Sequence, residues 1–372
     1  MDPSPPADLP SRAATLSVDL DAIASNYLWF AQRAAPAACA ACVKADAYGL
    51  GLAPVAQTLW QAGCREFFVA TAGEGAALRR RLPQALIYVL NGYLPGEQAL
   101  LREAGLTPVL NTPAQVAAFE ADFPATTPAA LQIDTGMTRL GLDARDIDAL
   151  STRWRRPGAI AVLLSHLACA DEPQHPMNAR QLARFRATWQ ALGQPRASLA
   201  NSSGILLGSD WHFDLVRPGA GLYGINPQPA TANPLRPVVR LQAPVLQVRA
   251  VPGDASVGYG ATYRTPAPGR IATVACGYAD GYPRAAGNRA QAMIDGHRVP
   301  LIGRLSMDLL TLDVGALPAD RPHPGEQVEL LGPDYDIDAL ADAAGTIGYE
   351  LLIHLGRMCR RRYHAAGDKQ PE

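Results

Sequence analysis

Between Ser11 and Asn226, short runs of apolar residues recur, each followed by a longer segment with helical spacing. The runs Cys39–Val43, Glu66–Ala70, Leu86–Leu90, Thr107–Leu110, Ala130–Ile133, Ile160–Ser165, Ala197–Ala200 and Asp214–Val216 read as strands. Helices are expected at Pro54–Ala62, Glu74–Arg81, Pro113–Phe119 and Met177–Leu192. Short, mostly apolar runs alternating with helix-like segments mark βα units and a parallel sheet. Eight of them predict an α/β fold closed as a TIM-like (β/α)8 barrel. A doubly wound open sheet competes, but no G-x-G-x-x-G follows the first strand.

After Pro227 the rhythm changes. The stretch Pro227–Pro237 holds four prolines and reads as a linker. Beyond it, Val238–Val251, Arg270–Val274, Ala292–Ile294, Val299–Leu301, Leu309–Val314 and Gln327–Leu331 are short β-type runs divided by Gly, Pro and Asp. They predict an antiparallel, all-β domain, with helical pattern only at Ile337–Ala343 and Tyr349–Ile353. The expected division is a barrel over residues 11–230 and a β domain over residues 231–365.

Composition narrows the class. The chain has 372 residues, 48% of them hydrophobic and 18% charged, enough for two folded domains. Net charge is −1, from 33 basic and 34 acidic residues, so no basic surface calls for nucleic acid. Arg79-Arg80-Arg81 and Arg360-Arg361-Arg362 read as solvated surface. No apolar run approaches 18 residues, so no membrane span is expected, and Met1–Pro10 lacks the pattern of a secretory signal. A cytoplasmic protein follows. Of six cysteines, Cys39 and Cys42 form a C-x-x-C, but it lies in an apolar strand with no second pair, and no metal site is expected.

In a barrel of this kind, reactive groups sit just past the carboxyl ends of the strands. Lys44 and Tyr48 follow the first strand, Asn91 the third and Asn111 the fourth. Asp134 and Arg139 follow the fifth, His166 the sixth, Asn201-Ser202-Ser203 the seventh and Arg217 the eighth. A lysine closing an apolar strand can condense with a carbonyl. Small residues at Asn201–Gly204 and at Arg217–Gly221 offer backbone amides and hydroxyls to a phosphate. Lysine at one end of the strand order and phosphate at the other point to pyridoxal 5'-phosphate. Gly221-Leu222-Tyr223-Gly224 reads as strand and turn.

These residues also carry a resemblance. Val43–Gly49, Asp134–Gly141, Asn201-Ser202, Val216–Gly219, Gly258–Tyr263, Gly277–Gly281 and Gly303–Asp308 are similar, in order, to motifs of the alanine racemases. The resemblance spans about Arg12 to Arg360 and implies an L/D-alanine racemase working with two bases. Lys44 would carry the cofactor and act as one base, and Tyr259 would be the other, on the opposite face. An unassisted phenol is a reluctant base, and His166 is its expected neighbour. Arg217 would face the pyridine nitrogen and keep it unprotonated, making the ring a weaker electron sink. Tyr48, Asn201, Ser202, Gly219, Ala220 and Tyr349 would hold the cofactor. Arg139 and the Met307 amide would meet the substrate carboxylate, with Tyr278, Arg284 and Asp308 lining the approach. Tyr259, Tyr278 and Met307 would come from the partner chain of a head-to-tail homodimer.

One position departs from that pattern. The family usually carries a carbamylated lysine two residues before the Asp134 equivalent, and here it is Gln132. Glutamine offers a neutral carbonyl able to hold Arg139 by a hydrogen bond, and no carbamate is expected. Competing activities are a serine or broad-range racemase, a decarboxylase of the same architecture, and a non-catalytic pyridoxal-phosphate carrier. Decarboxylases place an acid at the pyridine nitrogen and a reactive cysteine motif in the β half, which Arg217 and the sequence beyond it do not match. Carriers are a barrel alone.

Overall fold

The computed structural model describes residues 13–150, 152–155 and 158–365. Met1–Pro10, where no signal is expected, and the first two residues of the expected barrel range lie outside them. The chain forms two compact units. One comprises Ala22–Ala47 and Leu52–Arg236; the other takes the residues up to Asp21, Tyr48–Gly51, and those from Pro237 onward.

The first unit is the barrel. Seven parallel strands pair in chain order: Ala41–Cys42, Glu66–Val69, Leu86–Val89, Thr107–Leu110, Ala129–Gln132, Ile160–Leu164 and Ala197–Ser198. The expected first strand is broken at Ala40, and its leading half, Ala38–Cys39, pairs in parallel with Leu215–Val216. The Asp214 and Arg217 amides donate to the Ala197 and Ala200 carbonyls, so the eighth strand closes the ring. Ala40, Phe68, Tyr88, Val109, Ala130, Val162, Leu164 and Leu215 fill the interior, and Phe68 stacks on Tyr88 at 4.6 Å. Beneath them Arg196 grips Glu66 through two hydrogen bonds of 2.7 and 2.6 Å, and Tyr88 adds a third at 3.0 Å. Bidentate pairing satisfies a carboxylate that burial alone would penalise.

Arg79 is not simply solvated. Its guanidinium donates to four carbonyls, those of Pro83, Ala85, Ala104 and Gly105. The proline-rich stretch is pinned rather than loose. Buried Asn26 accepts the Arg236 amide at 2.8 Å and donates to the Arg236 and Leu222 carbonyls. The segment read as strand and turn is a 3-10 helix, Ala220–Tyr223. Its buried Tyr223 hydroxyl reaches the Cys42 carbonyl at 2.9 Å, beside Lys44 in sequence.

The second unit is built on the long strand Val239–Val251. It pairs antiparallel with Thr15–Asp19, Gly269–Val274 and Gln327–Leu331. Thr15–Asp19 precedes every barrel strand in sequence yet belongs to this sheet, and Arg360–His364 pairs beside it in parallel. The second arginine run is therefore a strand, whose Arg361 donates to the Gly49 carbonyl at 2.7 Å. Against that glycine packs the helix Gly348–Met358. A Cβ at Gly49 would fall 2.8 Å from the Leu352 oxygen, and one at Gly356 would fall 2.2 Å from the Gly49 oxygen. Both positions therefore require glycine.

Candidate active site

Lys44 opens a turn of unusual hand. Ala45, Asp46, Ala47 and Tyr48 have φ of 55°, 57°, 54° and 56°, four successive non-glycine residues in the left-handed region. Each costs roughly 1–2 kcal/mol, so the run stores strain on the order of 5 kcal/mol that its surroundings must offset. The Ala47 amide donates to the Val43 carbonyl at 2.9 Å. Asp46 Oδ1 accepts the Leu52 amide at 2.6 Å, and Glu74 Oε1 accepts the Ala45 amide at 2.8 Å. Strain held this firmly beside a candidate reactive group is a mark of a functional turn.

His166 stands among cations. Its pKa is pushed down from 6.5 to about 3, first by burial and then by Arg217, Arg139 and Lys44. Burial and three positive groups act together to keep this imidazole neutral. The neutral imidazole contributes stability that is whole above about pH 6.5 and is lost as the pH falls toward about 3, because the unfolded chain binds that proton first. In the cofactor-free protein, His166→Gln is expected to flatten the acid limb of stability against pH. Equal slopes for parent and variant between pH 6.5 and 4 would contradict the assignment.

Arg217 is buried and held in place. Its Nη2 donates to the Ser165 carbonyl at 2.6 Å, its Nη1 donates to Ser198 Oγ, and its Cζ lies 5.7 Å from the Phe68 ring centre. Burial pushes its pKa down to about 10, which leaves it a cation at neutral pH. Behind it runs a network that sequence alone did not disclose. Fully buried Gln181, on the helix Pro176–Ala191, donates to Thr135 Oγ1 and the His166 carbonyl and accepts the Ala168 amide. Thr135 in turn shares a 2.8 Å bond with Ser165. One helix side chain thereby ties the loops after the fifth and sixth strands together.

At the end of the strand order, Asn201 caps the short helix Ser202–Ile205. Ser202 Oγ accepts the Gly219 amide at 2.9 Å and the Gly221 amide at 3.2 Å, leaving its own proton to donate outward. Ser202 and Ala220 each begin a helical turn, where backbone N–H groups lack intrahelical acceptors. A Cβ at Gly221 would meet Phe30 at 2.5 Å, so the close approach depends on glycine.

The second unit gathers other candidates. The rings of Tyr48 and Tyr349 lie 6.3 Å apart. Met307 meets Tyr278's turn, where a Cβ on Gly277 would fall 2.2 Å from the Met307 oxygen and the Ala279 amide donates to it at 2.9 Å. Tyr259 sits between Gly258 and Gly260, at φ of 70° and 72°, and the former abuts the Arg304 backbone. Tyr259, Tyr278 and Met307 are 68%, 43% and 55% exposed. Arg284 and Asp308 are exposed, and among the described residues no hydrogen bond joins them to these three.

Comparison with known proteins follows the same two-part division. Residues 18–227 match the model of the alanine racemase N-terminal domain, and residues 238–363 match that of the C-terminal domain. The chain belongs to the alanine racemase family. It is 51% identical to the alanine racemase of Rhodospirillum rubrum, over 94% of this chain and 96% of that one. It is 47% identical to the catabolic alanine racemase of Agrobacterium fabrum, over 95% and 92%. The crystal structure of the Bartonella henselae alanine racemase, with covalently bound pyridoxal phosphate, superposes with a TM-score of 0.88 at 38% identity, covering 95% of this chain and 99% of that one. The biosynthetic alanine racemase of Pseudomonas aeruginosa gives 0.89 at 38% identity, with the same coverage.

Pyridoxal phosphate, the cofactor of alanine racemases, suits the groups present. Lys44 offers an amine, Arg217 is a buried cation held by Ser165 and Ser198, and the Ser202 hydroxyl with the amides around Ala220 suits a dianionic phosphate. Gln132 requires a correction. Its Nε2 donates to the Leu140 carbonyl at 3.0 Å, and among the described residues no hydrogen bond joins it to Arg139, which is exposed. The cause is the loop's fold. Asp134 Oδ1 gathers the Gly136 and Thr138 amides, and the Leu142 amide returns to the Gln132 carbonyl, which brings Leu140 rather than Arg139 over the glutamine.

Proposed function

We propose that this chain interconverts L- and D-alanine with pyridoxal phosphate by a two-base mechanism, as a homodimer whose active sites are shared. In this reading residues 11–230 carry the cofactor, and residues 231–365 contribute to the partner's site. The observation that carries it is the strained left-handed turn that begins beside Lys44, just past the carboxyl end of the first paired barrel strand. The bound cofactor supplies an electron sink for the pair of electrons left when the substrate Cα–H bond breaks.

The protein's own groups do the rest. Lys44 holds the cofactor through its amine and, when free, takes or returns the Cα proton on one face. Tyr259 does the same on the other. Inversion needs proton removal and return on opposite sides of a flat carbon, which two separate side chains supply. The backbone turn at Lys44 would set where the first base starts from, and the glycines beside Tyr259 allow the positive φ that its turn adopts. Tyr259, Tyr278 and Met307 are exposed in the single chain, which leaves them open to a second copy of it. His166 would pair with the partner's phenol, where a neutral imidazole nitrogen can accept a hydrogen bond. Arg217 stays cationic and cannot give a proton to the pyridine nitrogen, which limits stray electron flow into the ring. Arg139 and the Met307 amide would receive the substrate carboxylate, with Tyr278, Arg284 and Asp308 along the approach. Six free cysteines fit a reducing, cytoplasmic setting.

The side chains of Tyr278, Tyr349 and Met307 favour a narrow site for a methyl group. Alanine is therefore expected to turn over faster than serine or lysine in parallel assays of kcat/KM. Faster turnover of serine or lysine would move the assignment to a broader racemase.

A further inference from the structure

The peptide next to Lys44 is held by a carboxylate from another barrel segment. Glu74 lies in the first turn of the helix Ala72–Arg81, behind the second strand, where it forms a capping box with Thr71. A glutamate in that position is expected to return to the capping residue's own amide. That bond is the longest Glu74 makes, 3.4 Å to Thr71. Its short bonds go elsewhere, at 2.8 Å to the Ala70 amide and 2.8 Å across to the Ala45 amide. Three N–H donors converging on one side chain suit an ionised carboxylate, which only accepts, and an amide would set an NH₂ against one of them.

Of the bonds restraining the left-handed turn, those from Ala47 to Val43 and from Leu52 to Asp46 are local in sequence. The Glu74 bond, by contrast, ties it to a different βα unit. We propose that Glu74 is a positioning residue for Lys44, clamping the Ala45 peptide so that residues 45–48 stay left-handed and the lysine backbone stays where the cofactor needs it. The proposal rests on Lys44 being the cofactor lysine. Without the carboxylate, the Ala45 amide loses its acceptor and four strained residues can relax toward right-handed conformations, displacing Lys44.

The test compares wild type, Glu74→Ala, Glu74→Gln and Thr71→Val as full-length proteins. Apo-protein is titrated with pyridoxal phosphate, the lysine link is trapped with borohydride, and the modified peptide is identified by mass; Tm, kcat and KM for alanine are measured alongside. Glu74→Ala should trap markedly less cofactor at Lys44 and lose on the order of 10²-fold in kcat with KM little changed, the usual cost of a misplaced reacting group. Glu74→Gln should fall between it and wild type. Thr71→Val should lower Tm while trapping normally, because it removes only the helix cap. Normal trapping and kcat in Glu74→Ala would overturn the proposal. So would Thr71→Val reproducing the Glu74→Ala trapping defect, which would reduce Glu74 to a cap. If Glu74→Ala does not fold, wild-type trapping and kcat in Glu74→Gln overturn it instead. Wild-type protein that attaches no cofactor at Lys44 would sink the underlying reading as well, and is distinguishable because the defect then precedes any substitution.

Discussion

Under the proposed mechanism, Lys44→Ala is expected to remove both the covalent hold on the cofactor and one of the two bases, and to lower racemisation by roughly 10⁴-fold or more, the upper range for a positioned proton-transfer group. The visible absorption of the lysine-linked cofactor should vanish with it. The phosphate-binding end should survive, since Ser202, Gly219 and Ala220 lie on the loops after the last two strands and do not depend on the lysine. Cofactor should therefore still associate, reversibly and without its covalent spectrum. Retained absorption and retained activity in the variant would place the reactive amine elsewhere.

The second large effect is expected at Tyr259. Tyr259→Phe keeps the ring and removes the hydroxyl, so the variant should fold and bind cofactor normally while racemisation falls by roughly 10²–10⁴-fold. In the proposed mechanism the two bases serve opposite faces, so the loss should be lopsided. One enantiomer should still exchange its Cα proton with solvent through Lys44, and the other should not. A variant that exchanges both enantiomers at the parental rate would remove the phenol from its role. Tyr259 is exposed in the single chain, so mixing this variant with Lys44→Ala offers a check on the shared site. Mixed dimers should regain sites that hold both a lysine and a phenol, while either variant alone has none.

The barrel was legible because its strands are uniformly apolar. Thr107–Leu110 appears at its expected bounds, and Glu66–Val69, Leu86–Val89 and Ile160–Leu164 each end one residue early. The break at Ala40 was not legible, since nothing in Cys39–Val43 distinguishes a residue where the pairing changes partner. Thr15–Asp19 alternates polar and apolar residues, the period of a half-covered strand. Its burial alternates along the strand, the pattern of one face covered and one open, unlike the barrel strands, and it belongs to the antiparallel-rich sheet. Arg360–His364 was masked by its arginines, whose charge spoke for surface when the backbone was pairing with Thr15–Asp19.

At the site, residue types at strand ends pointed to Lys44, His166, Arg217 and Ser202, because a barrel collects whatever follows its strands. What holds them could not be read. Ala45–Tyr48 contains no glycine, so no local rule foretells four left-handed residues; a tertiary bond from Glu74 to the Ala45 amide helps hold them. Gln181 acts across 46 positions on Thr135, and a buried glutamine on a helix looks no different in sequence from an exposed one. Gln132 shows the reverse case, where the sequence suggested a partner and the fold of the following loop supplied another.

The central claim is that two different side chains serve opposite faces of one carbon, and a single-turnover reaction of L-alanine in deuterium oxide tests it most directly. Two bases predict deuterium at Cα of the D-alanine formed and none in the L-alanine left behind. Protium carried from substrate into product would mean one base working both faces, and the account would fail.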